Sequence, residues 1–257
     1  MWRAPAGSLA PGRDTVSGTG MQDIYDPAFV SDVFDRCSGR YRHVSAVASF
    51  GTIRRWRRQC VAALPDDTAG HGVDLMAGTG EVWPHLMRRF PDVHVTAIDI
   101  SPGMHARAME RLHRDRTGRI AHLEADWLRT DLPDASADFA VSCFGLKTFD
   151  AGQHVVFARQ LARVLRPGAP YALVEATDPV GWALRPLYRL HLDGVLPLVE
   201  RTLMRGARDF AMIGTYTRNF GDGASVVAAL DAAGLAPRVT RLIGGCAIQL
   251  AGRAPSG

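Results

Sequence analysis

The chain has 257 residues, of which 47% are hydrophobic and 22% charged, and its formal net charge is +4. No run approaches the roughly 20 apolar residues of a membrane-spanning helix, which excludes an integral membrane protein of that type. The four cysteines, Cys37, Cys60, Cys143 and Cys246, show neither a disulfide framework nor zinc-ligand spacing. We therefore expect a cytoplasmic protein without a metal, in which the small excess of basic residues does not by itself indicate nucleic-acid binding.

The N-terminal part predicts a flexible arm followed by helices. Residues 1–20 are rich in Ala, Pro, Gly and Ser and lack the apolar core of a signal peptide. If the protein is a homo-oligomer, this arm is a candidate for packing on a second copy. Residues 26–64 predict entry helices, because apolar positions recur among arginines. Within them, the basic run at 54–58 favours a solvated helix face on which Trp56 is the buried residue.

From residue 72 onwards, short apolar strands alternate with helices. The strands are predicted at 72–77, 93–99, 120–124, 138–144 and 171–176, and the helices between them include 81–90 and 153–165. This alternation predicts a parallel sheet covered on both faces, the doubly wound α/β fold. Residues 178–219 break the alternation and predict a helical cap, and two strands around Gly244-Gly245 predict an antiparallel C-terminal hairpin. We expect residues 21–257 to form a single domain.

The glycine turn after the first strand is the main candidate binding feature. It consists of Ala77, Gly78, Thr79 and Gly80. In a doubly wound sheet, such a turn lets the backbone approach an adenosine-containing cofactor beyond the carboxyl end of the strand. The third glycine of a dinucleotide-binding motif is missing after Gly80, which disfavours NAD and favours S-adenosylmethionine.

Three acidic residues at strand ends predict further cofactor contacts. Asp99, at the end of the second strand, is placed to accept hydrogen bonds from both ribose hydroxyls. Asp126 and Trp127, after the third strand, are placed to bind and cover an adenine ring. Asp74 is expected near the amino-acid end of the cofactor, with a strand-end cap as the alternative interpretation. The candidate set also includes three neighbours of these positions: Ile100, Met104 and Cys143, the last as a core thiol and not a nucleophile.

Six segments in chain order together carry a family resemblance. They are residues 74–80, residues 97–104, Asp126, residues 132–139, residues 144–147 and residues 163–168. In this order they resemble class I S-adenosylmethionine-dependent methyltransferases and, more narrowly, the ubiquinone/menaquinone-biosynthesis C-methyltransferase family. The entry segment from Phe34 and the tail through Gly245 are also similar, so the resemblance covers about residues 34–250. It implies a Rossmann-like methyltransferase sheet and S-adenosylmethionine as the cofactor.

The resemblance also places candidate catalytic residues. Where the narrower family usually has an arginine-asparagine pair that helps a water molecule deprotonate the acceptor carbon, this chain has Lys147-Thr148. Tyr41 and Lys147 are the candidates placed by the resemblance, and His191 of the cap is a third. Lys147 either steadies a phenolate or enolate or only extends beside the pocket. The departure predicts a relative with a changed acceptor.

These observations predict methyl transfer to carbon of a hydrophobic small molecule. A prenylated aromatic, a quinone-like compound or another natural product of secondary metabolism would suit the apolar cap. Methylation of oxygen or nitrogen stays open, and so does a protein that binds the cofactor without methylating. Nucleic acid is not an expected partner, because the segment after the fourth strand reads Ser142-Cys143-Phe144-Gly145 and lacks the proline motif of base-modifying enzymes.

Overall fold

The computed structural model describes residues 23–39, 45–46, 49, 51–113, 118–195, 197–198 and 211–256. The strands are β1 (His71–Leu75), β2 (His94–Asp99), β3 (Ile120–Glu124), β4 (Phe139–Cys143), β5 (Pro170–Ala176), β6 (Arg238–Leu242) and β7 (Ala247–Arg253). The helices are α1 (Pro27–Cys37), α2 (Ile53–Ala62), α3 (Trp83–Arg89), α4 (Pro102–Leu112), α5 (Ala151–Val164), α6 (Arg185–Leu190), α7 (Ala211–Phe220) and α8 (Ala224–Ala232). Single turns of other helix types occur at Trp127–Arg129, Leu146–Thr148, His191–Val195 and Ile243–Gly245.

The strands of the described residues form one seven-stranded sheet in the order β3-β2-β1-β4-β5-β7-β6. Strands β1 to β5 pair in parallel, whereas β7 runs antiparallel to both β5 and β6. The strand order reverses between β1 and β4, which is the point where ligands bind in open α/β sheets. The predicted doubly wound α/β fold with its antiparallel hairpin is confirmed.

The central strands β4 and β5 are buried on both faces: consecutive residues point to opposite sides of the sheet, and nearly all of them are buried. Ala140 and Leu173 belong to a core cluster that includes apolar side chains of α5 and α8. Val141 and Val174 belong to a second cluster, which includes side chains of α2 and α3. Helices on both faces are what right-handed crossovers between parallel strands require.

The helix after the glycine turn is shorter than the predicted range 81–90. It begins at Trp83, with a proline in its first turn, and it ends at Arg89. Glu81 precedes the helix and forms ion pairs with Arg57 at 3.7 Å and with Arg111 at 3.6 Å. Because these arginines belong to α2 and α4, tertiary contacts hold Glu81 ahead of the helix.

Helix α1 is joined to the sheet domain at two points. The Asp35 carboxylate accepts hydrogen bonds from the Gly103 backbone at 2.7 Å and from the Ser101 hydroxyl, at the start of α4. The Tyr216 hydroxyl of α7 donates to the Ile24 carbonyl at 2.6 Å, just before α1. These contacts hold α1 near the carboxyl end of β2.

Two sequence predictions extend beyond the described residues. The arm at 1–20 lies outside them, and of the predicted cap at 178–219 the structure describes α6, the turn at His191–Val195 and α7. The single domain, the arm and the cap therefore stay predictions. In the described part of the chain, no helix combines the length and apolarity needed to cross a membrane.

Candidate active site

The glycine turn between β1 and α3 depends on two glycines with positive φ. Gly78 has a φ of 56° and Gly80 a φ of 76°, in the left-handed region that favours glycine. A Cβ on Gly80 would lie 2.3 Å from the Trp83 ring, whereas a Cβ on Gly78 would meet no atom within 4 Å. The turn is therefore packed at Gly80 and open to a ligand at Gly78.

A cavity of about 910 Å³, including its mouth, lies beside this turn and is called the glycine-turn cavity below. Most of the predicted cofactor residues line it: Asp74, Ala77, Gly78, Asp99, Ile100, Met104, Asp126, Trp127 and Cys143. Thr79 and Gly80 are not among its lining residues. The Thr79 hydroxyl donates to the Glu81 carboxylate, so its role in the turn is local.

Asp99 is held at the carboxyl end of β2 by two backbone hydrogen bonds. Its carboxylate accepts from the Gly78 N–H at 2.7 Å and from the Ser101 N–H at 3.0 Å. Burial raises its pKa to about 6, although these two bonds act in the opposite direction. Asp99 thus joins the glycine turn to β2 and presents an acidic group to the cavity, as its predicted contact with ribose requires.

Asp74 is a buried carboxylate whose neutral form is favoured. Its Oδ2 accepts a hydrogen bond from the Trp83 indole N–H at 2.8 Å. Burial raises the pKa to about 8, and the nearby carboxylates of Asp99 and Glu81 act in the same direction. A ligand cation would reverse this preference by stabilising the ionised form, which fits the ammonium group expected at this end of the cofactor.

We predict that Asp74→Asn stabilises the protein without ligand as the pH rises. The folded state keeps a proton on Asp74 up to a pKa of about 8, while the unfolded chain loses it near the ordinary value of 3.8. Between these values, Asp74 lowers the free energy of unfolding by about 1.4 kcal/mol per pH unit. The advantage of the variant should therefore grow with pH and level off above the folded pKa, as measured by urea unfolding at about pH 5, 7 and 9.

The exposed Asp67→Asn substitution is the matched control, since it removes the same charge from the surface. Its stability difference from the natural protein should change little over that range. A difference for Asp74→Asn that stays constant with pH would contradict the assigned burial effect.

The segment after β3 provides the cavity wall at Asp126 and Trp127. The Asp126 carboxylate accepts from the Leu128 N–H at 2.9 Å and lies 3.8 Å from the Arg129 guanidinium. The Trp127 ring is buried, and its indole N–H has no hydrogen-bond partner among the described residues. A buried donor without a partner is costly, so it indicates that a ligand or water completes this wall.

Cys143 lies at the wall of the glycine-turn cavity, and its predicted role as an unreactive thiol stays a prediction. A hydrogen bond with the Cys60 thiol, together with burial, raises the pKa of Cys143 well above its usual range. A thiol that keeps its proton is a poor nucleophile.

The interpretation of the basic run at 54–58 as a solvated face is wrong for one residue. Arg54, Arg55 and Arg58 are exposed, but Arg57 is 5% exposed and lines the glycine-turn cavity. The signal was present in the sequence, because Arg57 follows the buried Ile53 by four residues and therefore shares its helix face. The cavity also has lining residues that the sequence did not indicate, from the N-terminal segment and α5: Tyr25, Pro27, Val30, Phe34 and Gln153.

A second cavity, of about 1500 Å³ including its open mouth, is called the apolar cavity below. Its wall is mainly aromatic and aliphatic, including Ile53, Trp56, Trp182, Leu184, Leu187, Tyr188, Leu192 and Ile213. Two of the three candidate catalytic residues, Lys147 and His191, line it as well. Tyr41, the third, lies outside the described residues.

Lys147 is buried in an ion pair and does not extend to solvent. Its ammonium donates to Glu175 Oε1 at 2.8 Å and to the Phe144 carbonyl at 2.7 Å. Glu175 is fully buried, and its other oxygen accepts from the Lys147 N–H at 3.0 Å. Of the two sequence interpretations, extension beside the pocket is therefore wrong, whereas a role towards an acceptor stays a prediction.

His191 begins the π-helical turn that follows α6. Its side chain is 7% exposed. The fold thus brings His191 to the same cavity as Lys147, although the two are far apart in the chain.

The residues present fit S-adenosylmethionine. The open glycine at Gly78, the acidic group at Asp99 and Trp127 line one cavity at the switch point of the sheet. The buried Asp74 carboxyl group lines the same cavity, and its contact with an ammonium group stays a prediction. Fold and site together define the class: the protein is an S-adenosylmethionine-dependent methyltransferase.

Comparison with known proteins identifies the family. Residues 21–251 match the ubiE/COQ5 methyltransferase family, and the chain belongs to it. The ubiquinone/menaquinone biosynthesis C-methyltransferase UbiE of Syntrophotalea carbinolica is 32% identical over 175 residues, 68% of this chain and 73% of that protein. The demethylmenaquinone methyltransferase of Thermus thermophilus is 28% identical, over 87% of this chain and all of that protein. A SAM-dependent methyltransferase from Aquifex aeolicus has the same fold, with a TM-score of 0.54 at 16% identity, over 83% of this chain and 97% of the other.

Proposed function

We propose that the protein transfers a methyl group to a ring carbon of a hydrophobic, quinone-like acceptor bound in the apolar cavity. The observation that carries this proposal is a buried lysine in the wall of an apolar cavity that adjoins the glycine-turn cavity. The printed names of the relatives, a C-methyltransferase of quinone biosynthesis and a demethylmenaquinone methyltransferase, support the same acceptor class. We also propose that the protein acts in the biosynthesis of a natural product of secondary metabolism.

Lys147 is proposed to bind an oxygen atom of the acceptor. An ammonium group has three N–H donors, and the Glu175 carboxylate and the Phe144 carbonyl take two of them. The third donor is assigned to an acceptor hydroxyl or its anion. Because a phenolate oxygen raises the electron density of the adjacent ring carbons, a fixed cation that favours the phenolate also activates the carbon that attacks.

The methyl donor needs little help from the protein. When bound, S-adenosylmethionine would supply an electrophilic methyl group on a sulfonium, whose neutral thioether is already a good leaving group. The protein's contribution is to orient the acceptor carbon towards the glycine-turn cavity and to exclude water with the apolar wall. Because the acceptor carbon has to attack this electrophilic methyl group, we expect the acceptor to react in its reduced, electron-rich form.

A ring carbon that has gained a methyl group must lose its proton to become aromatic again. His191 is a candidate to accept this proton, because it lines the apolar cavity and a neutral imidazole has a nitrogen that can accept a proton. Tyr41 is the other candidate. Methylation of an oxygen or a nitrogen needs no such step at carbon, so the product distinguishes the alternatives.

The test is the chemical position of the transferred methyl group. The protein is incubated with S-adenosylmethionine labelled with ¹³C in the methyl group and with reduced 1,4-naphthoquinone, and the product is examined by NMR. We expect the methyl group on the free ring carbon next to a hydroxyl-bearing carbon. The matched control acceptor is reduced 2,3-dimethyl-1,4-naphthoquinone, which has no free carbon at that position. Methyl groups found only on oxygen, with both acceptors alike, would contradict the proposal.

A further inference from the structure

Phe144 lies between the two cavities. Together with Phe34 of α1, it is one of two described residues that line both the glycine-turn cavity and the apolar cavity. It directly follows β4, and its ring centre is 6.1 Å from that of Trp56, a residue of the apolar wall. Among the described residues, Phe34 and Phe144 therefore mark the junction of the two cavities.

The backbone of Phe144 adopts a conformation that is rare for such a residue. Its φ is 72°, in the left-handed region, which costs about 1 kcal/mol or more for a residue other than glycine. Two hydrogen bonds hold it: the Phe144 N–H donates to the Val174 carbonyl at 2.9 Å, and its carbonyl accepts from the Lys147 ammonium at 2.7 Å. Because the Lys147–Glu175 pair is buried, this backbone is fixed from inside the fold.

Two cations approach the Phe144 ring, one from each cavity. The Arg57 guanidinium carbon, on the glycine-turn side, is 5.6 Å from the ring centre. The Lys147 ammonium, on the apolar side, is 5.8 Å from it. Each cation also has a carboxylate partner, Glu81 for Arg57 and Glu175 for Lys147. Cation–π attraction to both groups adds to the backbone hydrogen bonds and helps to hold the ring in place.

We propose that Phe144 determines acceptor specificity: its ring is a fixed partition that limits the size of the group beside the reacting carbon. This inference rests on the proposed binding of the acceptor in the apolar cavity. A fixed ring at the junction excludes bulky neighbours of the reacting carbon, whereas the open mouth of the cavity leaves room for long substituents elsewhere on the acceptor. The aromatic face also contributes an apolar surface for the methyl group that passes it.

The test uses Phe144→Gly, which removes the ring and accepts the left-handed backbone without strain. The acceptors are reduced 1,4-naphthoquinone and its 2-phenyl derivative, and kcat/KM is measured for each. The ratio of the phenyl to the unsubstituted acceptor should rise about tenfold or more in the variant, because steric rejection at the junction is lost. Calorimetry with S-adenosylhomocysteine checks that the variant still binds the cofactor product, because Phe144 also lines the glycine-turn cavity.

The control variant is Phe149→Leu, because Phe149 lines the glycine-turn cavity but not the apolar cavity. Its acceptor ratio should equal that of the natural protein. Phe144→Asn, which also tolerates positive φ, serves if the glycine variant does not fold. An unchanged ratio of the two kcat/KM values in a folded Phe144 variant that binds S-adenosylhomocysteine would overturn the partition.

Measuring acceptor binding without methyl transfer tests the role of Phe144 separately from the proposed function. Trp56 and Trp182 line the apolar cavity, so quenching of tryptophan fluorescence reports an acceptor entering it. If the natural protein methylates neither probe, the proposed acceptor class is wrong. The partition is then judged by affinity alone: Phe144→Gly should bind the phenyl probe about tenfold more tightly relative to the unsubstituted one, and equal relative affinities would refute it.

Discussion

Replacing Asp99 with alanine is expected to weaken S-adenosylhomocysteine binding by about 100-fold or more while the protein stays folded. A carboxylate that accepts hydrogen bonds from two ribose hydroxyls contributes about 3 kcal/mol, which corresponds to that factor. The folded state should survive with a modest loss of stability. The Gly78 N–H lies in a turn beside an open cavity, where water can replace the carboxylate, whereas the Ser101 N–H is buried at the start of α4 and loses its acceptor. Calorimetry gives the affinity, and circular dichroism checks the fold.

The pH dependence of binding gives a second measurement on the same residue. Because the pKa of Asp99 is raised to about 6, acid converts its carboxylate to a neutral acid that is a weaker acceptor. In an Asp74→Asn background, which removes the other carboxyl group with a raised pKa, the affinity should therefore fall between about pH 7 and about pH 5, and adding Asp99→Asn should remove most of this dependence. The matched control is Asp92→Ala, an exposed aspartate just before β2, which should bind normally. Normal affinity of Asp99→Ala would refute the ribose contact.

Breaking the Lys147–Glu175 pair is expected to lower the free energy of unfolding by about 3–5 kcal/mol. The two side chains are 5% and 0% exposed. Lys147→Met leaves the Glu175 carboxylate buried without its cation, and the Phe144 carbonyl loses a donor. Urea unfolding of Lys147→Met, Glu175→Gln and the double variant gives a double-mutant cycle, in which the double variant should lose much less than the sum of the single losses.

An exposed ion pair provides the comparison. Arg107 and Glu110 of α4 lie 3.1 Å apart, with side chains 48% and 53% exposed. Arg107→Met should change the free energy of unfolding by less than about 1 kcal/mol, because solvent screens the pair. If Lys147→Met also lowered the free energy of unfolding by less than about 1 kcal/mol, the buried pair would not contribute the expected stability. Its role in holding Phe144 would then lose support as well.

Local sequence rules predicted the elements that form the floor of the site. Residues 120–124 form β3 with the predicted bounds, and β1 leads into a turn in which Gly78 and Gly80 have positive φ. These features depend on neighbours in the chain, through alternating burial and the backbone freedom of glycine. Asp99 could be placed for the same reason, since it ends a recognisable strand at a fixed distance from the turn.

Charged residues in the helices were harder to place. Arg57 lies in a run of arginines, and the composition of that run suggested a solvated face. The arginine is instead buried against Glu81 at 3.7 Å and the Phe144 ring. Charge favours the surface only until a partner compensates the loss of hydration, and Glu81 belongs to a different element.

The partner of Lys147, a candidate catalytic residue, could not be predicted from the sequence either. The resemblance placed Lys147 beside the acceptor, but its partner Glu175 comes from β5, and no sequence pattern linked the two. His191 reaches the same cavity from the turn after α6. Such side chains meet only because the crossovers bring the ends of several strands to one edge of the sheet.

The sequence by itself determined the doubly wound sheet, the glycine turn and the acidic residue at the end of β2. It did so because strand alternation and positive φ are properties of adjacent residues. Only the tertiary structure decided which charges are buried and paired, and that Phe144 separates two cavities. Burial, ion pairing and cavity shape depend on distances between residues far apart in the chain, and only the packed fold sets those distances.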